Sequence, residues 1–399
     1  MKKILVLNGS FCEKPVIEKA KEMGYYVVST GNDPKLIGHQ FSDEYIPCDY
    51  SDKEAVLKLV RDNGIEGIVS CANDFGVLTA AYVAEQMGWK GHDTYATAKL
   101  LHHKDKFKQY CYEHDIPSPH SVSFGTIEEA AEYCKACEYP VIVKANDLTG
   151  GKGISRADNF DEAVAAIKNA FFMSRDKHII VEPYLTGTQG TFFAFIVNKK
   201  IAVTAGCTCY SQKNPYLIQA ETFPSVDFKE TAPELEKIAE KLTNDLNLAD
   251  GILAFQYIRC GEKPYIIEMM RRSFGNEALL LCDMTTGFPW EEAYIKASLG
   301  LDCTGIKTAE PPMKYCGHFG VMADCSGVVK RYRIPPEIEK HLFKKTEMVQ
   351  PGGRIGNHRN ERIVYLYYTY DSLEEMNEEV IHFNERIEIE MEEEKGRIC

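Results

Sequence analysis

The run Val141-Ile142-Val143 ends on Lys144 and leads through Asn146 and Asp147 into Gly150-Gly151-Lys152-Gly153. Successive β-branched apolar residues suit a buried strand. A cation that ends such a run sits at the rim of a core. The glycines leave no Cβ between the backbone and an approaching anion, and they tolerate positive φ. Successive N–H groups of such a loop converge on phosphate oxygens, and Lys144 and Lys152 add charge for them. The plainer reading is a glycine-rich turn between two strands. The common phosphate motifs do not fit. G-x-x-x-x-G-K-S/T fails because Gly153 follows Lys152, and no G-x-G-x-x-G joins a first strand to its helix. A nucleotide site here has another architecture.

A chain of 399 residues has room for two or three domains. Its first hundred residues alternate. Strands are expected at 4–7, 25–30, 45–48 and 65–71, with helices at 15–23, 52–62 and 75–87. That order implies a parallel sheet covered on both faces. The turns Asn8-Gly9-Ser10 and Asn73-Asp74 fall at strand C-terminal ends, where open α/β sheets bind ligands. Asp74 reads as a helix N-cap at least as readily as a substrate contact. A basic helix is expected over 99–114, stopped by Pro117 and Pro119, so a boundary falls near residue 100. Thr126-x-x-Glu129 and Asn159-x-x-Glu162 have the form of capping boxes. A strand over 178–185 carries the acid Glu182. A hairpin follows at 192–207, then an amphipathic helix over 233–248. In the tail, strands are expected near 315–325, 328–334 and 362–370. Arg354 and His358 lie on a glycine-rich loop that reads as a surface turn before it reads as a carboxylate contact. A glutamate-rich helix over 373–395 closes the chain with a solvated face.

A net charge of −13 argues against nucleic acid as a partner. No stretch reaches the length of a membrane span. The first apolar run stops at Asn8-Gly9 and reads as a strand instead of a signal peptide. Fourteen cysteines without a small-domain framework point to a reducing cytoplasm. Cys134-x-x-Cys137 and Cys207-x-Cys209 have spacings that metal ligands use. The first lies in a helical pattern with no second ligand pair nearby, which speaks against zinc.

The strands expected at 252–260 and 264–270 are the most informative pair. A three-residue turn at 261–263 pairs Cys260 with Pro264 and, counting back, places Gln256 opposite Glu268. Glu268, Met270 and Arg272 then share a face, and Arg271 points the other way. A carboxylate facing an amide, with a guanidinium at the rim, suits Mg²⁺ and phosphate. A surface cross-strand pair explains the same residues equally well.

Taken together, Lys106 near the start of a basic helix, Lys144 before its glycine loop, Val181-Glu182-Pro183-Tyr184-Leu185, and Gln256 with Glu268 and Arg272 resemble the ATP-grasp enzymes. The chain is most similar to those with an N-terminal pre-ATP-grasp domain, such as biotin carboxylase, carbamoyl phosphate synthase, the purine-pathway carboxylate ligases and the L-amino acid ligases. The resemblance covers roughly residues 1–305. It implies an α/β chain in three parts: a Rossmann-like pre-ATP-grasp domain over 1–100, a two-lobed α+β ATP-grasp domain over 101–305, and a small C-terminal α+β domain over 306–399 that packs on the active site.

The resemblance also implies roles. Lys106 and Lys144 would contact the ATP phosphates, under a mobile loop containing Gly150, Gly151 and Gly153. Glu182 would accept from the adenine amino group or a ribose hydroxyl, and the backbone at Tyr184 and Leu185 would meet the adenine edge. Glu268, with Gln256, would hold Mg²⁺. Arg272 would stabilise the transferring phosphoryl group. Two positions depart from the pattern: Gln256 stands where the family usually has an acid, and Met270 where it has an asparagine. An amide oxygen still binds Mg²⁺ but brings no charge, and a thioether is too soft to replace it. The expected activity is ATP-dependent joining of a carboxylate to an amine through an acyl phosphate, in a cytoplasmic protein for which the family suggests a homodimer. The alternatives are a non-catalytic ATP or ADP binder and a bicarbonate-activating carboxylase.

Overall fold

A computed structural model describes residues 1–148 and 151–392. The N-terminal part is a four-stranded parallel sheet in the order β3-β2-β1-β4, with β1 at Lys3–Leu7, β2 at Tyr26–Thr30, β3 at Glu44–Tyr45 and β4 at Ile68–Val69. Helix α1 (Lys14–Glu22) connects β1 to β2, α2 (Lys53–Asp62) connects β3 to β4, and α3 (Asp74–Met87) follows β4. Leu5, Leu7 and Val28 meet Val56, Val60 and Val83 on one face, while Ile4, Val6 and Val27 meet Val16 and Ile17 on the other. A parallel sheet buried on both faces needs such unbroken apolar strands.

The expected basic helix is two helices. α4 spans Tyr95–His102 and α5 spans Lys104–Glu113, because His103 between them is extended, with φ −94° and ψ 117°. A second sheet follows in the order β5-β8-β6-β7: β5 at Val122–Phe124, β6 at Val141–Ala145, β7 at Ile154–Ala157 and β8 at Ile179–Pro183, all antiparallel. Both expected N-caps form, with the glutamates accepting from the cap side chains Thr126 Oγ1 and Asn159 Nδ2. Thr126 accepts from Glu129 N at 3.3 Å to open α6 (Ile127–Cys134), and Asn159 accepts from Glu162 N at 3.0 Å to open α7 (Phe160–Met173).

The remaining strands are β9 (Thr188–Val197), β10 (Lys200–Tyr210), β11 (Ala220–Phe223), β12 (Gly251–Cys260), β13 (Lys263–Met270), β14 (Tyr315–Val321), β15 (Gly327–Arg333), β16 (Leu342–Glu347), β17 (Arg354–Ile355), β18 (Val364–Tyr370) and β19 (Glu388–Glu392). Eight of them form one sheet, β13-β12-β9-β10-β11-β14-β18-β16, which draws strands from both sides of residue 305. Strand alternation gives it two apolar faces. Phe192, Ala194 and Ile196 pack with Phe107 of α5 and Leu235 of α8 (Phe228–Asp245). Phe193, Phe195, Ala254 and Met270 pack on the face toward the N-terminal sheet.

Two expectations need correction. The turn of the β12–β13 hairpin is two residues, with Cys260 paired to Lys263; a bulge then absorbs Ile267, so Gln256 still pairs with Glu268. The closing helix is also not continuous. Leu373–Val380 and Phe383–Arg386 are helical, but Glu388–Glu392 is β19, paired with β15. Its alternation of Glu388, Ile389, Glu390, Met391 and Glu392 has the strand period of two, and Ile389 and Met391 pack toward Val329 and Ile355.

Candidate functional site

One cavity of about 500 Å³ lies between the β5–β8 sheet and the inner face of the eight-stranded sheet. Lys104, Lys144, Glu182, Tyr184 and Leu185 line it, and so do Gln256, Glu268, Met270 and Arg272. Residues separated by more than a hundred positions thus share one space, because β8 and β13 both present their cavity-facing ends to it.

At one end the site is built on a buried carboxylate. Glu182 sits on β8 opposite Ile142 of β6, and is 2% exposed. Its Oε1 pairs with Lys144 Nζ, and its Oε2 accepts from Ser121 Oγ at 2.5 Å and lies 3.7 Å from Lys108 Nζ. Burial works to raise the Glu182 carboxyl, but the two ammonium groups outweigh it and hold it down at about 2. For Lys108 the balance reverses. Desolvation dominates, its shared carboxylate lies farther away, and the ammonium is brought down to about 8. One buried acid therefore serves two cations. Both Glu182 oxygens are engaged within the protein, so its evident task is to fix the lysines.

Lys106, expected to reach the nucleotide, is exposed and does not line the cavity. Helical periodicity explains the correction. Lys104 and Lys108 lie four apart on the face of α5 that carries buried Phe107 and Cys111, while Lys106 shares the outer face with Gln109 and Glu113. Lys104 lines the cavity, donating to Leu148 O at 2.8 Å with Glu268 Oε1 3.6 Å away. The i, i+4 spacing was the signal that identifies the pair.

Of the loop glycines, Gly150 lies outside the described residues. Gly151 lines the cavity with φ +73°, and a Cβ there would come within 2.7 Å of Tyr216 O. Gly153, at φ +64°, does not line it; a Cβ would meet that of Ala145 at 2.9 Å, so it serves the close approach of β6 and β7. Tyr184 N–H donates to Pro140 O at 3.1 Å, which leaves its carbonyl as the backbone group of Tyr184 for an adenine edge. The Arg156 guanidinium lies 4.6 Å from the centre of the Tyr184 ring.

Next to Lys104 come Glu268, Gln256 and Thr191, side by side on β13, β12 and β9, and all three line the cavity. The Glu268 carboxylate and the Gln256 amide oxygen are hard donors that fit Mg²⁺ completed by waters and phosphate oxygens, whereas the Thr191 hydroxyl lies 3.3 Å from Cys209 Sγ. Met270 lines the same wall but adds no such donor. Arg272 is 9% exposed; its Nε donates to Asp74 Oδ1 at 2.6 Å, and its Nη1 to Ser273 O at 3.1 Å. Asp74 is thus neither cap nor isolated: Asn73 caps α3 by accepting from Phe75 N at 3.0 Å. Burial would raise the Asp74 carboxyl, yet Arg272 and His102 hold it far below its ordinary range. Arg271 leaves the cavity, with Nε 2.8 Å from Asp93 Oδ2.

Beyond Arg272 the cavity continues to Asn276, Glu221, Arg362 and Tyr365. Glu221 Oε2 accepts from Asn276 Nδ2 at 2.9 Å and lies 3.1 Å from His318 Nε2. Sequence reasoning missed this group, since Glu221 on β11 and His318 on β14 meet only through strand pairing. Arg354 and His358 do not line the cavity.

Residues 102–215 match the family model of the phosphoribosylglycinamide synthetase ATP-grasp (A) domain. The phosphoribosylamine–glycine ligase of Methanosphaera stadtmanae is 28% identical over 308 residues, 68% of this chain and 67% of that protein. The carbamoyl phosphate synthase large chain of Clostridium acetobutylicum is 22% identical over 293 residues, 70% of this chain but 26% of that protein. Among solved structures, the L-amino acid ligase from Bacillus licheniformis superposes with a TM-score of 0.83 at 16% identity, covering 98% of this chain and 99% of that one. The biotin carboxylase domain of the Hydrogenobacter thermophilus 2-oxoglutarate carboxylase, solved with MgADP and bicarbonate, gives 0.76 at 19% identity over 98% and 91%. By the match over residues 102–215 and by its relatives this chain resembles the ATP-grasp ligases, and its mixed α/β fold matches their solved structures.

Proposed function

We propose that this chain is an ATP-dependent ligase that joins a carboxylate to an amine through an acyl phosphate, releasing ADP and phosphate. The observation that carries the reading is one cavity that brings Lys104, Lys144, Gln256, Glu268 and Arg272 together, with Lys104 beside Glu268. Nucleotide would bind against the β5–β8 sheet, with Leu185 and the Tyr184 carbonyl at the adenine edge and Gly151 beside the phosphates. Glu268 and Gln256 would hold Mg²⁺, whose chemistry when bound is to neutralise phosphate charge. Lys144, fixed by Glu182, and Arg272, fixed by Asp74, are cations already oriented before substrate arrives. Such preorganised charge stabilises a transferring phosphoryl group without reorganisation cost. The wall past Arg272, with Asn276, Glu221 and Arg362, offers both signs of charge for an acid and an amine.

The test is ADP formation by the purified protein with Mg²⁺–ATP, screened against amino acids, other small carboxylates and bicarbonate. ADP release that needs an acid, rises with an amine and disappears in Arg272→Ala supports the ligase. Release with bicarbonate alone would redirect the assignment to carboxylation chemistry. The amide of Gln256, where a second carboxylate is usual in the resembling enzymes, favours one other reading, a nucleotide-binding protein without turnover. ATP binding with no ADP under every condition would select it.

A further inference from the structure

Cys207 and Cys209 lie on one face of β10, and strand pairing sets Cys209 directly opposite Glu221 of β11. All three side chains are buried, and their ligand atoms lie within 4.8 Å of one another. Cys207 Sγ and Cys209 Sγ are 3.8 Å apart, and Cys209 Sγ is 3.9 Å from Glu221 Oε1. A tetrahedral ion with a bond of about 2.3 Å to sulfur and about 2.0 Å to oxygen sets its ligands about 3.8 Å apart across two sulfurs and about 3.5 Å apart across sulfur and oxygen. The two sulfurs already have that spacing, and the carboxylate oxygen would have to approach the thiols by a few tenths of an ångström or more. Glu221 divides its oxygens: Oε2 is held by Asn276 Nδ2 at 2.9 Å and His318 Nε2 at 3.1 Å, while Oε1 faces the thiols. Outer partners of this kind orient a carboxylate ligand. Glu221 also lines the cavity, which gives an ion a route in and leaves a fourth position for water.

We propose that Cys207, Cys209 and Glu221 form a binding site for a thiophilic divalent ion such as Zn²⁺, separate from the hard-oxygen pair Gln256 and Glu268. Two thiolates and one carboxylate make a borderline-soft donor set that Mg²⁺ does not favour. Binding replaces both thiol protons, which leave to solvent, so the loaded cluster keeps the single net negative charge of the empty one. An ion there would also take Glu221 from the cavity wall.

Co²⁺ titration of the full chain tests this without any turnover, so its outcome is independent of the ligase reading. A near-ultraviolet thiolate-to-cobalt band should grow to one equivalent, be displaced by Zn²⁺, and persist in millimolar Mg²⁺. Cys209→Ser and Cys207→Ser should each weaken Co²⁺ binding by more than about tenfold, and Glu221→Gln should shift the band. The double variant Cys134→Ser, Cys137→Ser should keep it, and circular dichroism identifies any variant that fails to fold. Glu221→Gln, which preserves shape, decides the matter if the cysteine variants do not fold. Absence of the band, a band lost with Cys134 and Cys137, or a band unchanged in Glu221→Gln overturns the proposal.

Discussion

Glu182 concentrates much of the site's electrostatics in one side chain. It is the common partner of Lys144 and Lys108, and all three are buried. Glu182→Gln leaves two cations without a counter-charge and is expected to destabilise the protein by about 3–5 kcal/mol, read from denaturant unfolding. Lys144→Ala removes the cation proposed to face the phosphates while Lys108 still neutralises Glu182. It should weaken ATP binding by about 1.5–3 kcal/mol in calorimetry and leave the fold intact; unchanged affinity would remove Lys144 from the nucleotide site. The pH dependence has a definite sign. Glu182 ionises at about 2 when folded against an ordinary 4.5, so its contribution is full above 4.5 and is lost as pH falls through 2. Lys108 gives up its proton near 8 when folded against 10.5 when unfolded. Between those values the unfolded chain binds more protons, so stability from this group rises with pH. The unfolding free energy of wild type relative to Lys108→Met should therefore climb from pH 8 to 10.5, and a flat difference would contradict the burial of a charged Lys108.

The β12–β13 hairpin is the element on which the metal reading rests. Gln256 opposite Glu268 was legible from spacing, but through a compensation: the turn is one residue shorter than expected, and the bulge at Ile267 restores the register. A bulge has no reliable signature in one sequence, because it is selected by what packs on both faces of the strand. Glu268 and Met270 stay on the cavity face while Ile266 and Met269 join the opposite core. The double variant Gln256→Glu, Met270→Asn adds a charge and a hard oxygen on the same wall. It should lower the Mg²⁺ concentration needed for ATP binding by the equivalent of about 1.5–3 kcal/mol at most. A Mg²⁺ titration midpoint identical to wild type would take Glu268 out of metal binding. Helix α5 teaches a complementary lesson. Its lysines were visible, but choosing among 104, 106 and 108 required knowing which face the core covers.

At the scale of the whole molecule, the eight-stranded sheet is tied to the N-terminal part by two adjacent arginines. Arg272 reaches Asp74 at the start of α3, and Arg271 reaches Asp93 after it, adding bonds of 2.6 Å to Ile252 O and Ala249 O. The buried Tyr294 hydroxyl, 2.6 Å from Ser70 Oγ, ties the helix Trp290–Ser298 to the N-terminal part as well. Arg271 does not line the cavity, so Arg271→Met is expected to lower stability by about 3–5 kcal/mol while leaving ATP affinity unchanged. Equilibrium unfolding and ATP calorimetry on the same variant check both halves; a large loss of affinity with no loss of stability would reverse the roles assigned to Arg271 and Arg272.

Local physics settled what the sequence could decide alone. Period-two and period-3.6 patterns placed the parallel N-terminal sheet, the strand through Lys144 and the N-caps Thr126 and Asn159, because each depends on residues a few positions apart. The motif order pointed to the ATP-grasp superfamily for the same reason, through short strings around Lys144, Glu182 and Glu268. Contacts between distant strands decided the rest. Only the packed chain joins Asp74 to Arg272, Lys108 to Glu182, and Cys209 to Glu221 and His318. Those pairings arise from sheet order and helix docking, which minimise exposed apolar surface over the whole molecule and leave no periodic trace in the sequence around any one residue.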